Sequence, residues 1–146
     1  MPPVLFTIGY EDHKTPDSLT AVLLSAGVLR LVDVRELPIS RRPGFAKRAL
    51  SAALTEAGIS YEHQRGLGNP KPLRDLYRSG RQADGEREYL AHLRNGSAAA
   101  VDALAGRLDE TPTCIMCFEA DHTSCHRALI VQELHGRCPD LRVEHL

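Results

Sequence analysis

The sequence lacks tryptophan, long apolar runs and any marked excess of charge of one sign. With no tryptophan and only 5% aromatic residues, it has few side chains on which nucleic-acid bases could stack. It has no run of about 18 apolar residues, which a membrane-spanning helix would require. The formal net charge of −1 argues against a globally basic nucleic-acid-binding protein but leaves room for a local basic patch.

A disulfide framework is absent as well. The four cysteines stand at irregular spacing, so they do not show the pattern of a small disulfide-stapled domain. Two of them lie among other reactive side chains, which suits a reducing compartment better than an oxidising one. The chain starts Met-Pro-Pro-Val-Leu-Phe, with no basic segment ahead of the apolar one. We therefore expect no signal peptide and a cytoplasmic location.

Segments with the periods of strands and helices alternate along the chain. Thr15 and Pro16 supply a helix cap and a first helical residue, and Gly27 ends that helix. Glycines and prolines break any period in residues 64–85, so we expect a long irregular loop there. The predicted strands cover residues 4–8, 29–34, 59–63, 113–118 and 141–145. The other predicted helices cover residues 46–57, 86–108 with a break at 96–97, and 124–135.

Such alternation predicts an α/β fold with a mainly parallel sheet. The length and the 42% apolar content fit one globular domain over residues 1–146. Because βαβ crossovers are right-handed, few topologies are open. We expect a three-layer, Rossmann-like domain whose five strands run in the order 3-2-1-4-5, with helices on both faces.

Reactive side chains cluster where the predicted strands end. Residues 9–10 follow the first strand, Asp33 and Arg35 end the second, and residues 117–119 end the fourth. Open α/β sheets bind ligands at the carboxyl ends of their strands, so we expect these side chains to line one crevice. A local alternative is that Asp33 only forms a structural ion pair with Arg35 or Arg41.

The cysteines near this crevice differ in their expected roles. Cys114 and Cys117 are three residues apart on one strand and should point to opposite faces, so Cys114 is expected in the core. Cys125 lies near a predicted helix N-terminus beside His126 and Arg127, a setting that favours the thiolate. Cys125 is therefore the best candidate for a nucleophilic or redox thiol, although it could serve only for packing or capping.

A zinc site made of Cys117, Cys125 and His126 is conceivable, because thiolate and imidazole suit zinc. Adjacent residues rarely bind one ion with good geometry, however, and no second Cys/His pair completes a structural set of four. We therefore expect no bound metal or other cofactor, and a fold that is stable without metal.

Basic residues suggest an anionic ligand. Arg127 and the free N–H groups of the last helix form an anion site in principle. Residues 35–48 and 65–81 each contain five basic residues and one acidic residue, a net charge of +4. Two basic segments near one crevice favour a phosphate-bearing ligand. The alternative is a solvated basic face with no ligand.

Several short motifs follow one another along nearly the whole chain: Thr-Ile-Gly-Tyr at 7–10, Val-Asp-Val-Arg at 32–35, Pro38, Ser-Arg-Arg at 40–42, Gly-Phe at 44–45, Leu-Gly at 67–68, Cys117-x-Glu119 and Cys-His-Arg at 125–127. Together they resemble the domain-of-unknown-function family numbered 488. The resemblance implies a small prokaryotic α/β domain whose site these positions form, but it implies no reaction. Residues 120–122 depart from the family's usual acidic-proline step, so His122 is given no family role.

Two function classes follow, with a third that is weaker. The first is an enzyme acting on a nucleotide, nucleoside or nucleic acid that carries phosphate; the second is a non-catalytic module that binds nucleic acid or a nucleotide. A thiol redox protein is the third. Because phosphate binding alone needs no carboxylates, the acidic residues favour the enzyme. The candidate catalytic residues are Asp33, Glu119, Cys125 and His126. The candidate substrate-binding residues are Gly9, Tyr10, Arg35, Ser40, Arg41, Arg42, Cys117 and Arg127.

Overall fold

A computed structural model describes residues 2–146. The strands are β1 (Val4–Gly9), β2 (Arg30–Asp33), β3 (Ser60–His63), β4 (Thr113–Cys117) and β5 (Arg142–His145). The helices are α1 (Pro16–Ser25), α2 (Lys47–Glu56), α3 (Lys71–Arg78), α4 (Gln82–Gly96), α5 (Ala98–Ala105) and α6 (Arg127–Arg137). Short 3-10 turns cover Arg65–Leu67 and His122–Ser124. The α/β class and the five predicted strands are thus confirmed.

The five strands are parallel to their neighbours and run in the order β3-β2-β4-β1-β5. The predicted order 3-2-1-4-5 is wrong because β4 lies between β1 and β2. All five residues of β4 are buried, as expected of a central strand that is covered on both faces. The crossover through α1 therefore passes over one position in the sheet instead of joining neighbouring strands.

The corrected order keeps the topological switch point between β1 and β4. From β1 the chain crosses toward β2, whereas from β4 it crosses toward β5 on the other side. In the register, Gly9 stands opposite Cys117, and Asp33 stands opposite Met116. The carboxyl ends of β1, β2 and β4 therefore meet at one edge, where such sheets form ligand crevices.

Two hydrophobic cores cover the two faces of the sheet. One holds the buried residues of α1 and α2, and the other holds those of α3, α4, α5 and α6. Cys114 belongs to the first core and Cys117 to the second, which confirms that these cysteines point to opposite faces. The predicted three-layer arrangement is confirmed as well.

The start of α1 follows its sequence signal. The Thr15 hydroxyl accepts a hydrogen bond from the backbone N–H of Ser18 at 3.2 Å, and Pro16 occupies the first helical position. Leu19 and Leu23, one turn apart, are buried. The predicted break at residues 96–97 is also confirmed, because α4 ends at Gly96 and α5 begins at Ala98.

The prediction of an irregular loop over residues 64–85 is wrong. This stretch contains α3 and the first turn of α4. Pro72 fits the first turn of α3, where a missing N–H costs little, and Gly80, with φ of 80°, separates the helices. Gly85 lies within α4. A Cβ at this position would come within 2.7 Å of the Tyr77 ring, which explains why a glycine stands there. That glycine allows α3 and α4 to pack closely and does not interrupt a helix.

Gly9 offers a direct test of how the carboxyl edge is assembled. A Cβ at this position would lie 1.8 Å from the backbone oxygen of Glu119, so no side chain fits without moving the turn after β4. We expect Gly9→Ala to lower the free energy of unfolding by about 3 kcal/mol, as overpacking does. Urea denaturation measures it.

Gly136→Ala is the matched control, because Gly136 lies in α6 with open space around its Cα. We expect this variant to be as stable as the parent or slightly more stable. Equal stability of Gly9→Ala and the parent would contradict the close contact between β1 and the turn.

Candidate active site at the carboxyl edge of the sheet

A cavity of about 460 Å³ opens at the carboxyl edge, beside the ends of β1 and β4. Its lining includes eight of the predicted site residues, namely Tyr10, Arg35, Ser40, Arg41, Cys117, Glu119, Cys125 and His126. The other lining residues are Glu36, Leu37, Ile39, Asn69, Arg74, Tyr77, Arg78, Phe118 and Ser124. Four other residues that the sequence suggested do not line the cavity, namely Gly9, Asp33, Arg42 and Arg127.

Asp33 and Arg35 form a buried, two-pronged ion pair. Arg35 Nε donates to Asp33 Oδ1 at 2.9 Å, and Arg35 Nη2 donates to Asp33 Oδ2 at 2.7 Å. The Asp33 carboxylate is fully buried and also accepts hydrogen bonds from the Tyr61 hydroxyl and the Arg35 backbone N–H. This is the structural pair that the local alternative described.

The same arginine connects three parts of the fold. Its Nη1 donates to the Phe45 carbonyl at 2.7 Å and to the Tyr10 hydroxyl at 3.4 Å. Burial alone would lower the pKa of Arg35, but the hydrogen bonds and charge of Asp33 more than offset it and raise the pKa above its ordinary value. Arg35 therefore stays charged and holds Asp33, Tyr10 and the Phe45 carbonyl together at the cavity wall.

Arg42 also serves the scaffold. Its Nη1 donates to the carbonyl oxygens of Tyr10 at 2.6 Å and His13 at 2.7 Å. The Ser40 hydroxyl in turn accepts a hydrogen bond from the Arg42 backbone N–H at 3.1 Å. Two of the predicted substrate-binding residues thus shape the loop after β2, and of these two only Ser40 reaches the cavity.

Arg127 occupies the first position of α6, in the first turn where the sequence placed it. The helix starts at Arg127, three residues later than predicted, because Asp121 caps a 3-10 turn over residues 122–124. The Arg127 side chain is 1% exposed and donates to the carbonyl oxygens of Glu119 at 2.5 Å and Ala120 at 3.5 Å. Its guanidinium therefore fixes the turn after β4 and does not face the cavity.

Four reactive groups meet at the cavity floor. The Sγ atoms of Cys117 and Cys125 are in direct contact, and the Cα atoms of these residues are 7.8 Å apart. Glu119 Oε2 accepts a hydrogen bond from Cys117 Sγ at 3.2 Å. Nδ1 of His126 lies 3.6 Å from Cys125 Sγ. The floor thus combines two cysteine sulfur atoms, an imidazole and a carboxylate.

The imidazole of His126 is held in one orientation. Its Nε2 lies 2.8 Å from the Val34 carbonyl oxygen, to which it donates, so the Nδ1 lone pair faces Cys125. The Tyr89 ring meets the imidazole edge-on at 5.2 Å between centroids. Burial, as the largest cause, lowers the pKa of His126 to about 4. The side chain is therefore neutral at pH 7.

The cavity rim carries positive charge that the protein leaves unbalanced. Arg74 donates to Glu36 at 2.9 Å and is neutralised. Within residues 2–146, neither Arg41 nor Arg78 forms an ion pair. Both are exposed and line the cavity. Each of the two basic segments identified in the sequence therefore supplies the cavity rim with one guanidinium that has no ion pair.

Two orphaned polar atoms belong to cavity residues that sequence reasoning missed. Asn69 Oδ1 and the Tyr77 hydroxyl are buried and have no hydrogen-bond partner within residues 2–146. Such atoms are costly unless a ligand or water satisfies them. Four of the nine missed lining residues come from α3 and the segment before it, namely Asn69, Arg74, Tyr77 and Arg78. Leu73, Leu76 and Tyr77 at helical spacing were an available signal there.

The fold and the cavity define a parallel α/β domain with a lined cavity at its topological switch point. The sequence profile of the family described as Domain of unknown function DUF488 matches residues 15–134, which is 120 of the 146 residues. The chain belongs to this family, and the resemblance seen in the sequence is confirmed. Comparison with curated proteins found no match, and neither did comparison with solved structures. Among residues 2–146, no helix has the length and apolar character needed to cross a membrane.

Removal of one partner from the Asp33–Arg35 pair should strongly lower the free energy of unfolding. In Arg35→Met, the Asp33 carboxylate stays buried without its counter-charge, and we expect a loss of about 3–5 kcal/mol in the free energy of unfolding. Asp33→Asn added to that variant should recover part of the loss. Urea denaturation of the single and double variants measures both.

Arg94→Met is the control, because its pair with Glu133 is on the surface, with the arginine side chain 57% exposed. Surface pairs contribute little, so we expect hardly any change in its unfolding midpoint. If Arg35→Met were as well tolerated as Arg94→Met, Asp33–Arg35 would not be a structural pair.

Proposed function

We propose that this protein is an enzyme that performs acid–base chemistry on a nucleotide or related phosphate-bearing substrate bound in the carboxyl-edge cavity. The observation that carries the proposal is the presence of Glu119, Cys125 and His126 in the same cavity as the unpaired Arg41 and Arg78. Reactive groups thus face a space whose rim attracts anions. A module that only binds phosphate would not need the carboxylate.

Arg41 and Arg78 bind the phosphate in this proposal. They come from different segments, the loop after β2 and α3, so they can approach one anion from two sides. Guanidinium groups suit phosphate because their N–H donors match its oxygens in pairs. The sequence placed Arg41 and Arg127 among the candidate substrate-binding residues. Because Arg127 is buried and does not line the cavity, we assign the second phosphate contact to Arg78.

The rest of the substrate lies against a mixed wall. Tyr10, Leu37, Ile39 and Phe118 give it apolar surface, and Asn69 Oδ1 offers a free acceptor. A volume of about 460 Å³ falls in the range of pockets for small molecules. A nucleoside phosphate has the matching parts, namely a flat base with N–H donors and a charged phosphate.

Glu119 moves the proton in this proposal. It is half-buried in the cavity wall, and its carboxylate contacts the Cys117 thiol. Asp33, the other candidate, is fully buried and occupied by Arg35 and Tyr61, so it positions the wall and takes no direct part. Cys125 and His126 assist from the floor.

A second candidate function is thiol redox chemistry, because the sulfur atoms of Cys117 and Cys125 touch. It accounts for the two thiols but leaves Glu119, Arg41 and Arg78 without a role. Counting of free thiols before and after treatment with a mild dithiol reductant tests it. Redox chemistry predicts two additional thiols after reduction and their loss again on oxidation, whereas the acid–base proposal predicts no such cycle.

Calorimetric titration with nucleoside monophosphates tests the anion site. We expect binding by the parent and none of comparable strength for the phosphate-free nucleosides. Because a hydrogen bond to a charged group contributes roughly 1.5–3 kcal/mol, Arg41→Ala and Arg78→Ala should each weaken binding about 10- to 100-fold.

Arg48→Ala is the matched control, since Arg48 is exposed on α2 away from the cavity. It should bind as the parent does. Equal weakening by all three variants would reduce the effect to overall charge, and no binding at millimolar ligand would refute the anion site.

Glu119→Gln separates the enzyme from the binding module. We expect turnover of a bound nucleotide, followed by chromatography of the products, to fall about 100-fold or more, as loss of a general acid or base does. Binding should change little. A parent that binds but never turns over any nucleotide of a broad panel is a binding module. Full turnover by Glu119→Gln would exclude Glu119 from catalysis.

A further inference from the structure

We propose that Cys117, Cys125 and His126 bind one zinc ion at the cavity floor and leave its fourth position open to the cavity. The Sγ atoms of the two cysteines and a ring nitrogen of His126 lie within 4.8 Å of one another, and all three residues are buried. Among residues 2–146, no other group of three or more His, Cys, Asp or Glu side chains lies close enough together to share an ion. Three donors of the kinds that zinc prefers are thus gathered at one point, and binding an ion between them requires the two sulfur atoms only to move apart.

The backbone spacing of the two cysteines favours a shared ion over a disulfide bond. Their Cα atoms are 7.8 Å apart, whereas disulfides usually require 4.4–6.8 Å. An ion between the sulfur atoms increases the reach of the pair, because each Zn–S bond is about 2.3 Å long. Two thiols that face each other across this backbone distance are therefore placed as metal ligands.

His126 is oriented as metal-binding histidines are. Such a residue usually donates its second ring N–H to a carbonyl or carboxylate group, which fixes the ring and leaves the other nitrogen free for the ion. Here Nε2 donates to the Val34 carbonyl at 2.8 Å, and Nδ1 lies 3.6 Å from Cys125 Sγ. The free lone pair thus points into the cluster.

The sequence argument against adjacent ligands is overcome by a change in backbone conformation. Cys125 is extended, with φ −132° and ψ 149°, whereas His126 is helical, with φ −62° and ψ −14°. This change of direction brings both side chains to the same point. The N–H of Arg127 also approaches Cys125 Sγ at 3.5 Å, and such a donor at a helix start stabilises the thiolate that binds metal.

Three protein ligands and one open position are typical of catalytic zinc sites, whereas structural sites are closed by four. The thiolates select a soft ion and disfavour magnesium or calcium. The role of the ion rests on the proposed function: it would polarise a substrate oxygen or lower the pKa of a bound water beside Glu119. Because both cores are built from apolar side chains, we expect the metal-free protein to stay folded.

Metal binding is tested with the metal alone. The protein is reduced, freed of metal with a chelator and titrated with zinc against a chromophoric competitor, and in parallel with cobalt(II). We expect one equivalent of zinc per chain and, with cobalt, the near-ultraviolet absorption of thiolate bonds and the visible bands of a four-coordinate ion. Cys125→Ser and His126→Gln should each weaken zinc binding at least 100-fold.

Cys138→Ser is the matched control, because Cys138 lies outside the cluster and is partly exposed. It should bind zinc as the parent does. No stoichiometric binding by the parent, no thiolate band with cobalt, or undiminished zinc binding by Cys125→Ser would each overturn the proposal. The cobalt spectrum of the parent requires no substitution, so it decides even if a variant fails to fold.

The outcome is separable from that of the proposed function. A protein that binds zinc but never transforms a nucleotide retains the metal site and refutes the activity. A metal-free protein with full turnover retains the activity and refutes the catalytic use of the ion.

Discussion

The buried pair of Asp33 and Arg35 is the interaction on which the carboxyl edge depends. It joins the end of β2 to β3 through Tyr61, to the residue after β1 through Tyr10, and to the entry of α2 through the Phe45 carbonyl. A buried ion pair holds its geometry because every departure leaves a desolvated charge unpaired. We therefore expect the part of the cavity wall that Tyr10 and Arg35 form to be rigid.

The arginines at this edge have different structural roles. Arg42 and Arg127 each donate to backbone carbonyl oxygens of loops at this edge and thereby hold those loops in place. These two residues form the cavity without facing it. Arg41 and Arg78 are left unpaired at the rim, so the arginines that hold the loops are different from those whose charge stays free.

Local patterns in the sequence predicted most of the elements, whereas long-range packing decided what they could not show. The cap at Thr15, the alternation of strands and helices, and the opposite faces of Cys114 and Cys117 are properties of neighbouring residues, and each is confirmed. The insertion of β4 between β1 and β2 depends on contacts between distant segments, which no local period encodes. The role of Gly85 was hidden for the same reason, since its close contact is with Tyr77 of another helix. At the site, eight of the residues that the sequence suggested line the cavity. Burial separates Arg127 and Asp33 from it, and the change of backbone conformation between Cys125 and His126 brings their side chains together.

The central claim is that the cavity at the carboxyl edge binds the phosphate-bearing ligand. Amide and arginine side-chain NMR signals, followed during titration with a nucleoside monophosphate, test it most directly. We expect saturable shifts confined to Tyr10 and to residues 35–41, 69–78 and 117–126, which surround the cavity, with the amino ends of the strands unaffected. Shifts centred on the amino edge of the sheet, or none at millimolar ligand, would contradict it.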